Sequence, residues 1–447
     1  MTNKEHIFSD IIVVGGGASG LIAAGRAAEK GGRVLLLEKT DSCGKKILIS
    51  GKTRCNLSNS AELNHFISMY GDNGRFLFSA FHHFFRPELL DFFNSHGLVT
   101  KVERGGRIFP SSDDARDVVR VFKKYLSENN VDIKLNTKAT GFIVKDNSVC
   151  GVKTQDKNYH CKAVILATGG ATWPSTGSTG DGYKISTALG HIIVKLKPAL
   201  VPLIVKEQNI AQSMQGVSLR NVRVTAFQGD AQSIDSVLTP DCVYGRGEKK
   251  RPRAPVIESR FGEMLFTHFG LGGPIILLIS LSVVEAMEKG PVSILIDLKP
   301  AITREQLHKR LQQDLDKSSK KKIAGIIKEY LPSKMIEPFI ELTGIDKEKL
   351  GHQIAAAERA KIVELLKALR FNVQSPLPME KAIVTAGGVS LKEIDPRTMA
   401  SKLIKGLFLC GEVMDIDADT GGYNLQAAFS TGILAGEKAA EYIKHFE

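Results

Sequence analysis

The chain has 447 residues, 43% hydrophobic and 24% charged, the composition of an ordinary soluble globular protein too long for a single core, so two or three domains are expected. The longest apolar run, Leu271 to Val284, is interrupted by Ser280 and Ser282 and is too short to cross a bilayer; a buried helix fits it better. The net charge of +12 admits nucleic acid, anionic lipid or an acidic substrate, but no nucleic-acid module accompanies it, and a basic surface also suits dinucleotide phosphates.

The chain is organised around Asp10 to Lys39. Ile11–Val14 reads as a strand buried on both faces of a parallel sheet, and it runs into Gly15-x-Gly17-x-x-Gly20. The three glycines do different things. The first permits the bend, the second lets backbone approach a pyrophosphate, and the third lets helix pack on strand. Ala18 and Ser19 open the helix, whose free amides and dipole favour negative charge. A second buried strand, Val34–Leu37, ends in Glu38, where a carboxylate accepts the hydroxyls of an adenosine ribose and disfavours a 2′-phosphate. A glycine turn that merely starts a helix is the bland alternative. Strand, turn, helix, strand and acid in one unit favour an ADP site, open at this point to NAD or FAD.

Cys43 to Asn59 follows as a polar loop with Lys45, Lys46, Lys52 and Arg54, cations suited to a pyrophosphate or substrate beside the cofactor. Phe78, Phe81, Phe85, Leu89, Phe92 and Phe93 recur at helical spacing and predict core. Ser112 or Asp113 is the expected cap of a helix carrying Val118, Val119, Phe122 and Leu126 on one face; Arg107, just before it, is a solvated residue or a ligand clamp. From Val131 to Leu166 short strands take over. A β-meander leading to a strand that ends in Ala167-Thr168-Gly169-Gly170 is a feature of FAD domains, which points to FAD over NAD. The six cysteines form no C-x-x-C or C-x₄-C pair, which argues for reduced thiols, a cytoplasmic setting, and against a metal site or redox disulfide.

Val201–Lys206, Val217–Phe227 and Val237–Tyr244 read as strands, and Arg246–Arg253 as a basic, solvent-facing loop. In EMLFTHFGLGG, His268 precedes a glycine turn and Pro274 is the expected first residue of the apolar helix. His268 is the candidate proton donor, because imidazole chemistry suits near-neutral pH; a histidine satisfied within the turn is the competing reading. Thr303 to Phe371 reads as helical, with Ile362, Leu365, Leu366 and Leu369 as a core stripe. The strand Gly406–Cys410 then leads through Gly411-Glu412, Asp415, Asp417 and Asp419 to a helix from Leu425 to Ile443. The aspartates lack EF-hand spacing, so no metal is expected.

The opening fingerprint, SGKTRCNLSN, ATGGATWPSTGSTGDGY, GEMLFTHFGLGGP, TAGGVSLKEIDPRTMASK and GLFLCGEVMDIDADTGGYNLQAAFSTG, in this order over nearly the whole chain, resemble the bacterial NAD(P)/FAD-dependent oxidoreductase family that includes the BaiN-type bile-acid-inducible reductases. Where that family tends to have Gly-Gly-Gly-Arg-Cys-Asn, this chain has Gly51-Lys52-Thr53-Arg54-Cys55-Asn56. The resemblance implies an α/β, GR2-type flavoprotein fold: a Rossmann-like FAD-binding domain split into 1–195 and 374–447, an inserted β-rich substrate domain at 196–300 and a helical subdomain at 301–373. The expected FAD-binding set is Gly15, Gly17, Ala18, Ser19, Gly20, Glu38, Lys39, Lys46, Ser50, Gly51, Arg54, Cys55, Asn56, Thr168, Gly169, Gly170, Gly411, Glu412, Gly422, Asn424 and Leu425. His268 and Arg54 are the catalytic candidates.

The expected activity is hydride transfer between flavin and an organic small molecule, with reduction of a conjugated double bond as the best single reading. No second dinucleotide fingerprint appears, so NAD(P)H as donor is expected to bind transiently at the flavin. An RNA-modifying flavoprotein and a non-catalytic flavin redox sensor are the rival readings. A membrane partner is not expected, nucleic acid is the minority partner, and nothing in the sequence fixes the oligomeric state.

Overall fold

The structure, a computed structural model, describes residues 9–232 and 255–446; the expected strand Val237–Tyr244 and the basic loop Arg246–Arg253 lie outside the described residues. The chain divides into two compact units, Met1–Lys197 with Met379–Glu447, and Pro198–Pro378.

The first unit is built on a five-stranded parallel sheet in the order Leu407–Leu409, Ala163–Leu166, Ile11–Val14, Val34–Leu37, Asp132–Lys134. The three strands in the middle are apolar at every position and wholly buried, as strands covered on both faces must be. Ile11 pairs with both Ala163 and Val34, so the fingerprint strand is central and its turn opens at the sheet's carboxyl edge. The fingerprint helix Ala18–Glu29 packs on the C-terminal helix Tyr423–Ile443. The two backbones meet closely: a Cβ on Gly432 would lie 2.6 Å from the Ser19 carbonyl oxygen, and one on Gly436 2.5 Å from that of Ala23. The fold is therefore a Rossmann-like α/β domain whose last strand and helix come from the far end of the chain. An antiparallel meander, Ala139–Lys145, Ser148–Thr154 and Asn158–His160, precedes the strand Ala163–Leu166.

The second unit is a closed barrel of Leu203–Val205, Gly270–Gly272, Val256–Phe266, Ser218–Gln228, Val292–Asp297 and Leu369–Pro376. Helices Arg304–Lys317, Ser333–Thr343 and Ala356–Lys367 share one apolar core with the barrel. Lys367 is wholly buried yet satisfied: its Nζ lies 2.8 Å from Asp297 Oδ2 and donates to the carbonyls of Lys299 and Ile302.

Three expectations differ in detail. The helical run expected to reach Phe371 ends at Lys367, and Leu369 and Phe371 belong to a barrel strand whose partners lie more than 70 residues away in sequence. The apolar helix is Pro274–Met287, with proline first as expected, while Leu271 sits on a strand. The cap of Ala115–Glu128 is Asp114, which accepts the Arg116 N–H at 2.8 Å, rather than Ser112 or Asp113. Asp113 has a left-handed backbone (φ 58°), and its carboxylate is taken up by Arg54 and Lys101. Among the described residues no helix is long and apolar enough to cross a membrane.

Candidate functional site

The fingerprint turn has the geometry its glycines imply. Gly15 is left-handed (φ 108°), and a Cβ there would lie 2.5 Å from the Ala167 carbonyl oxygen; on Gly20 it would lie 1.9 Å from the Gly15 oxygen. On Gly17, in contrast, it would meet nothing within 4 Å. That opening lies at the helix N-terminus, where Gly17 caps without any side chain and the first turn holds no acid.

Glu38 is buried and fixed by backbone: Oε2 accepts the Gly16 N–H at 2.7 Å and Oε1 accepts the Thr40 N–H at 2.8 Å. A carboxylate pinned in this way still has lone pairs for a ribose diol. Next to it, Lys39 donates to Thr179 and Asp181 at 2.5 and 2.6 Å. Burial alone would raise the Asp181 carboxyl, but hydrogen bonds from Lys39, Thr179 and Lys138 outweigh it and bring it down to about 2. Lys46 Nζ donates to Glu412 Oε2 and Thr172 Oγ1, both at 2.8 Å, while Glu412 Oε1 accepts the Thr385 N–H at 2.9 Å. A Cβ on Gly170 would press on Thr385 Oγ1 and Glu412 Oε1. One polar network thus gathers residues from positions 46, 172, 385 and 412.

Around it, Ser19 Oγ donates to the Cys410 carbonyl at 3.4 Å, Gly411 backs onto Ser19, and Gly422 onto the Ser58 carbonyl. Asn424 accepts the Ala418 N–H and donates to the Ala418 carbonyl, which shapes the turn before the C-terminal helix, where Leu425 is half-buried. That 21-residue helix is capped by Gly422 with no acid in its first turn, a second electropositive helix end in the same unit. Two buried oxygens, Asn56 Oδ1 and Thr168 Oγ1, have no hydrogen-bond partner. Thr168 adjoins the fingerprint turn, where a Cβ on Gly15 would lie 3.0 Å from its Cα, and its orphaned hydroxyl, the open helix N-terminus and the Glu38 carboxylate fit a bound dinucleotide.

Arg54 is placed differently. Its guanidinium lies 4.1 Å from the centre of the Phe109 ring and donates to Glu103 at 2.8 Å and Asp113 at 3.2 Å. Ser50 Oγ donates to the Ile47 carbonyl. Burial pushes the Cys55 thiol up to about 12, and the same holds for Cys43, where the Glu38 charge adds to burial, and for Cys410. None of these thiols is a thiolate near neutrality. Arg107 is exposed on the strand Arg107–Pro110 and donates to the Arg104 carbonyl. His268 belongs to the second unit; it is exposed on the turn between two barrel strands, with its ring edge-on to Phe269. Asp415 is raised by burial, and among the described residues no group of three or more His, Cys, Asp or Glu could hold a metal.

Thr172 and Thr385 join the network, and Asp181 holds Lys39, without any local sign in the sequence, because these partners lie 27 to 214 residues away.

Fold and geometry together define a dinucleotide-binding α/β protein of the Rossmann class with an inserted barrel. Residues 9–438 match the HI0933-like protein Rossmann domain, and the chain belongs to that family. It is 32% identical over 439 residues to a 3-dehydro-bile acid delta(4,6)-reductase of Clostridium scindens, covering 96% of this chain and 98% of the relative. It is 28% identical over 429 residues to a ribosomal RNA dihydrouridine synthase of Haemophilus influenzae, covering 95% and 96%. A solved 3-ketosteroid delta1-dehydrogenase of Sterolibacterium denitrificans superposes with a TM-score of 0.50 at 15% identity, over 97% of this chain and 99% of that one, a likeness of fold.

Proposed function

We propose that the protein is an FAD-dependent oxidoreductase that reduces a carbon–carbon double bond conjugated to a carbonyl, with NAD(P)H as transient electron donor. The observation that carries this reading is the closure of one site by both ends of the chain. An ADP moiety needs only the fingerprint turn and Glu38, yet the far end of the chain adds Glu412, bound to Lys46, Gly411, packed on Ser19 of the fingerprint helix, and the Gly422-capped helix. Those additional groups suit an isoalloxazine. The names of two full-length relatives support the reaction class: a 4,6-unsaturated 3-oxo steroid acid and the uracil ring of uridine both present an alkene in conjugation with a carbonyl.

FAD, when bound, supplies the hydride carrier. The chain's own part is to hold and polarise. Glu38 takes the ribose hydroxyls, the amides after Gly17 face the pyrophosphate, and Lys46 adds a positive charge whose position Glu412 and Thr172 fix. The proton that completes the reduction is assigned to His268, and Arg54 is the second catalytic candidate.

Anaerobic mixing with NADH or NADPH should bleach the flavin absorbance, and a conjugated enone should restore it. His268→Asn should slow the second step and leave the first unchanged. A purified chain that is colourless and indifferent to added FAD would end the assignment. A ribosomal RNA substrate is the second reading, favoured by the 28% identity to a dihydrouridine synthase and the net charge of +12. Salt-dependent retention on RNA, with re-oxidation of the flavin by a uridine-containing fragment and not by a steroid enone, would select it.

A further inference from the structure

The loop from Gly170 to Asp181 passes the Glu38 carboxylate and is fastened at one end to Lys46 and the Ile383 carbonyl, and at the other to Lys39, the residue after Glu38. Thr172 is fully buried, takes a hydrogen bond from Lys46 and gives one to the Ile383 carbonyl at 3.3 Å. Five residues on, a Cβ at Gly177 would sit 3.5 Å from Lys39 Cε and 3.7 Å from Glu38 Oε1. Thr179 and Asp181 then hold Lys39. Between these anchors stands Trp173, the chain's single tryptophan.

Its backbone is left-handed (φ 55°, ψ 64°), an outlying conformation for a bulky side chain and one at odds with the extended geometry expected before Pro174. The conformation is imposed: the Trp173 carbonyl accepts both the Thr176 N–H at 2.9 Å and the Thr176 hydroxyl at 2.8 Å. Trp173 is left 37% exposed on the loop that adjoins Glu38. Strain retained at such a place needs a use.

We infer that Trp173 is the surface on which the adenine ring of the bound dinucleotide stacks, an inference that rests on the FAD reading above. A ribose whose hydroxyls meet Glu38 carries its base on the adjoining carbon, so the base must lie beside segment 38–40 and the loop fastened to it. A purine there gains from a flat aromatic partner, and an indole is the largest side chain that supplies one.

The single tryptophan makes the test specific. With the full chain stripped of flavin, ADP should quench or shift the indole emission, because it carries the adenine and no chromophore that absorbs there. Inorganic pyrophosphate, which can occupy the fingerprint helix but has no base, should leave emission unchanged. Trp173→Ala should weaken FAD binding roughly 10-fold, and Trp173→Phe should keep most of the affinity. Trp173→Gly separates stacking from a structural role: it relieves the left-handed backbone, so thermal stability should hold or rise while FAD affinity falls. Unchanged emission with ADP that still competes with FAD, or wild-type FAD affinity in Trp173→Ala, overturns the inference alone. A wild-type chain that binds neither ADP nor FAD overturns the dinucleotide reading and this inference with it.

Discussion

Two turns of the first unit reverse the chain at comparable places and obtain their backbone shape by opposite means. At Gly15–Gly20 the left-handed and closely packed positions are glycines, so the conformation costs little and the residue types dictate it. At Gly51–Cys55 three successive residues, Gly51, Lys52 and Thr53, are left-handed (φ 56°, 58° and 66°), and Cys55 follows at 61°. Three of the four carry side chains. This second turn is held by its surroundings: Cys55 N–H reaches the Ser50 carbonyl, Ala115 N–H reaches that of Thr53, Cys55 is buried, and Arg54 is tied to Glu103 and Asp113. A backbone shape set by residue type survives loss of its neighbours; one set by neighbours does not.

The largest effect expected follows from the first turn. Gly20→Ala would force a Cβ against the Gly15 carbonyl oxygen, a backbone atom that cannot rotate away, and should cost about 3 kcal/mol or more. Gly17→Ala meets no protein atom, so its stability should match the wild type while FAD retention falls. Thermal unfolding beside bound-flavin absorbance separates the pair. Equal loss of stability in both would mean that Gly17 is also a packing glycine, and the distinction drawn between the two positions would fail.

The same contrast explains what the sequence discloses. Ile11–Val14, Gly15, Gly17, Gly20, Val34–Leu37 and Glu38 are legible because each role is local: buried runs, glycines at fixed offsets, an acid at a strand end. Leu369 extends the apolar stripe of Ile362, Leu365 and Leu366, yet lies on a strand, because pairing with Ile296 decides its conformation and no local period records that. Asp113 looks like a cap until Lys101 and Arg54 claim it. Among the site residues, Arg54 was readable as a cation of the loop, but not that Phe109, Glu103 and Asp113 would hold it. The link from Lys46 to Glu412 spans 366 positions, and only the folded chain shows it.

A smaller effect, of opposite sign, tests the second turn. Thr53→Gly removes a β-branched side chain from a left-handed backbone, a relief of about 1–2 kcal/mol, against which glycine's extra freedom in the unfolded chain sets about 0.5–1 kcal/mol. Net stabilisation of about 0 to 1.5 kcal/mol is expected; the Ala115 hydrogen bond is retained, since the Thr53 carbonyl makes it, and only the exposed bond from the Thr53 hydroxyl to the Lys52 carbonyl is lost. A destabilised Thr53→Gly would mean that the side chain makes a contact worth more than the strain, and the turn would no longer exemplify imposed conformation.

A last test, read in the acid limb alone, concerns the third such place, the loop that carries Trp173, which its anchors also hold in shape. Asp181 is one of those anchors, and its carboxyl lies near 2 when folded against an ordinary 3.8, because Lys39, Thr179 and Lys138 outweigh the burial that would raise it. A lowered folded value means that the carboxylate form is the stabilising one. Its contribution is complete above about pH 5 and is lost progressively as the pH falls through 3.8 towards about 2. Asp181→Asn should therefore lower the unfolding midpoint at neutral pH and flatten its fall between pH 4 and pH 2. An unchanged acid limb in the variant would show that Lys39 is held without Asp181. The loop would then be held through Thr172 and the hydrogen bond from Lys39 to Thr179, and raising the salt concentration should leave FAD affinity unchanged.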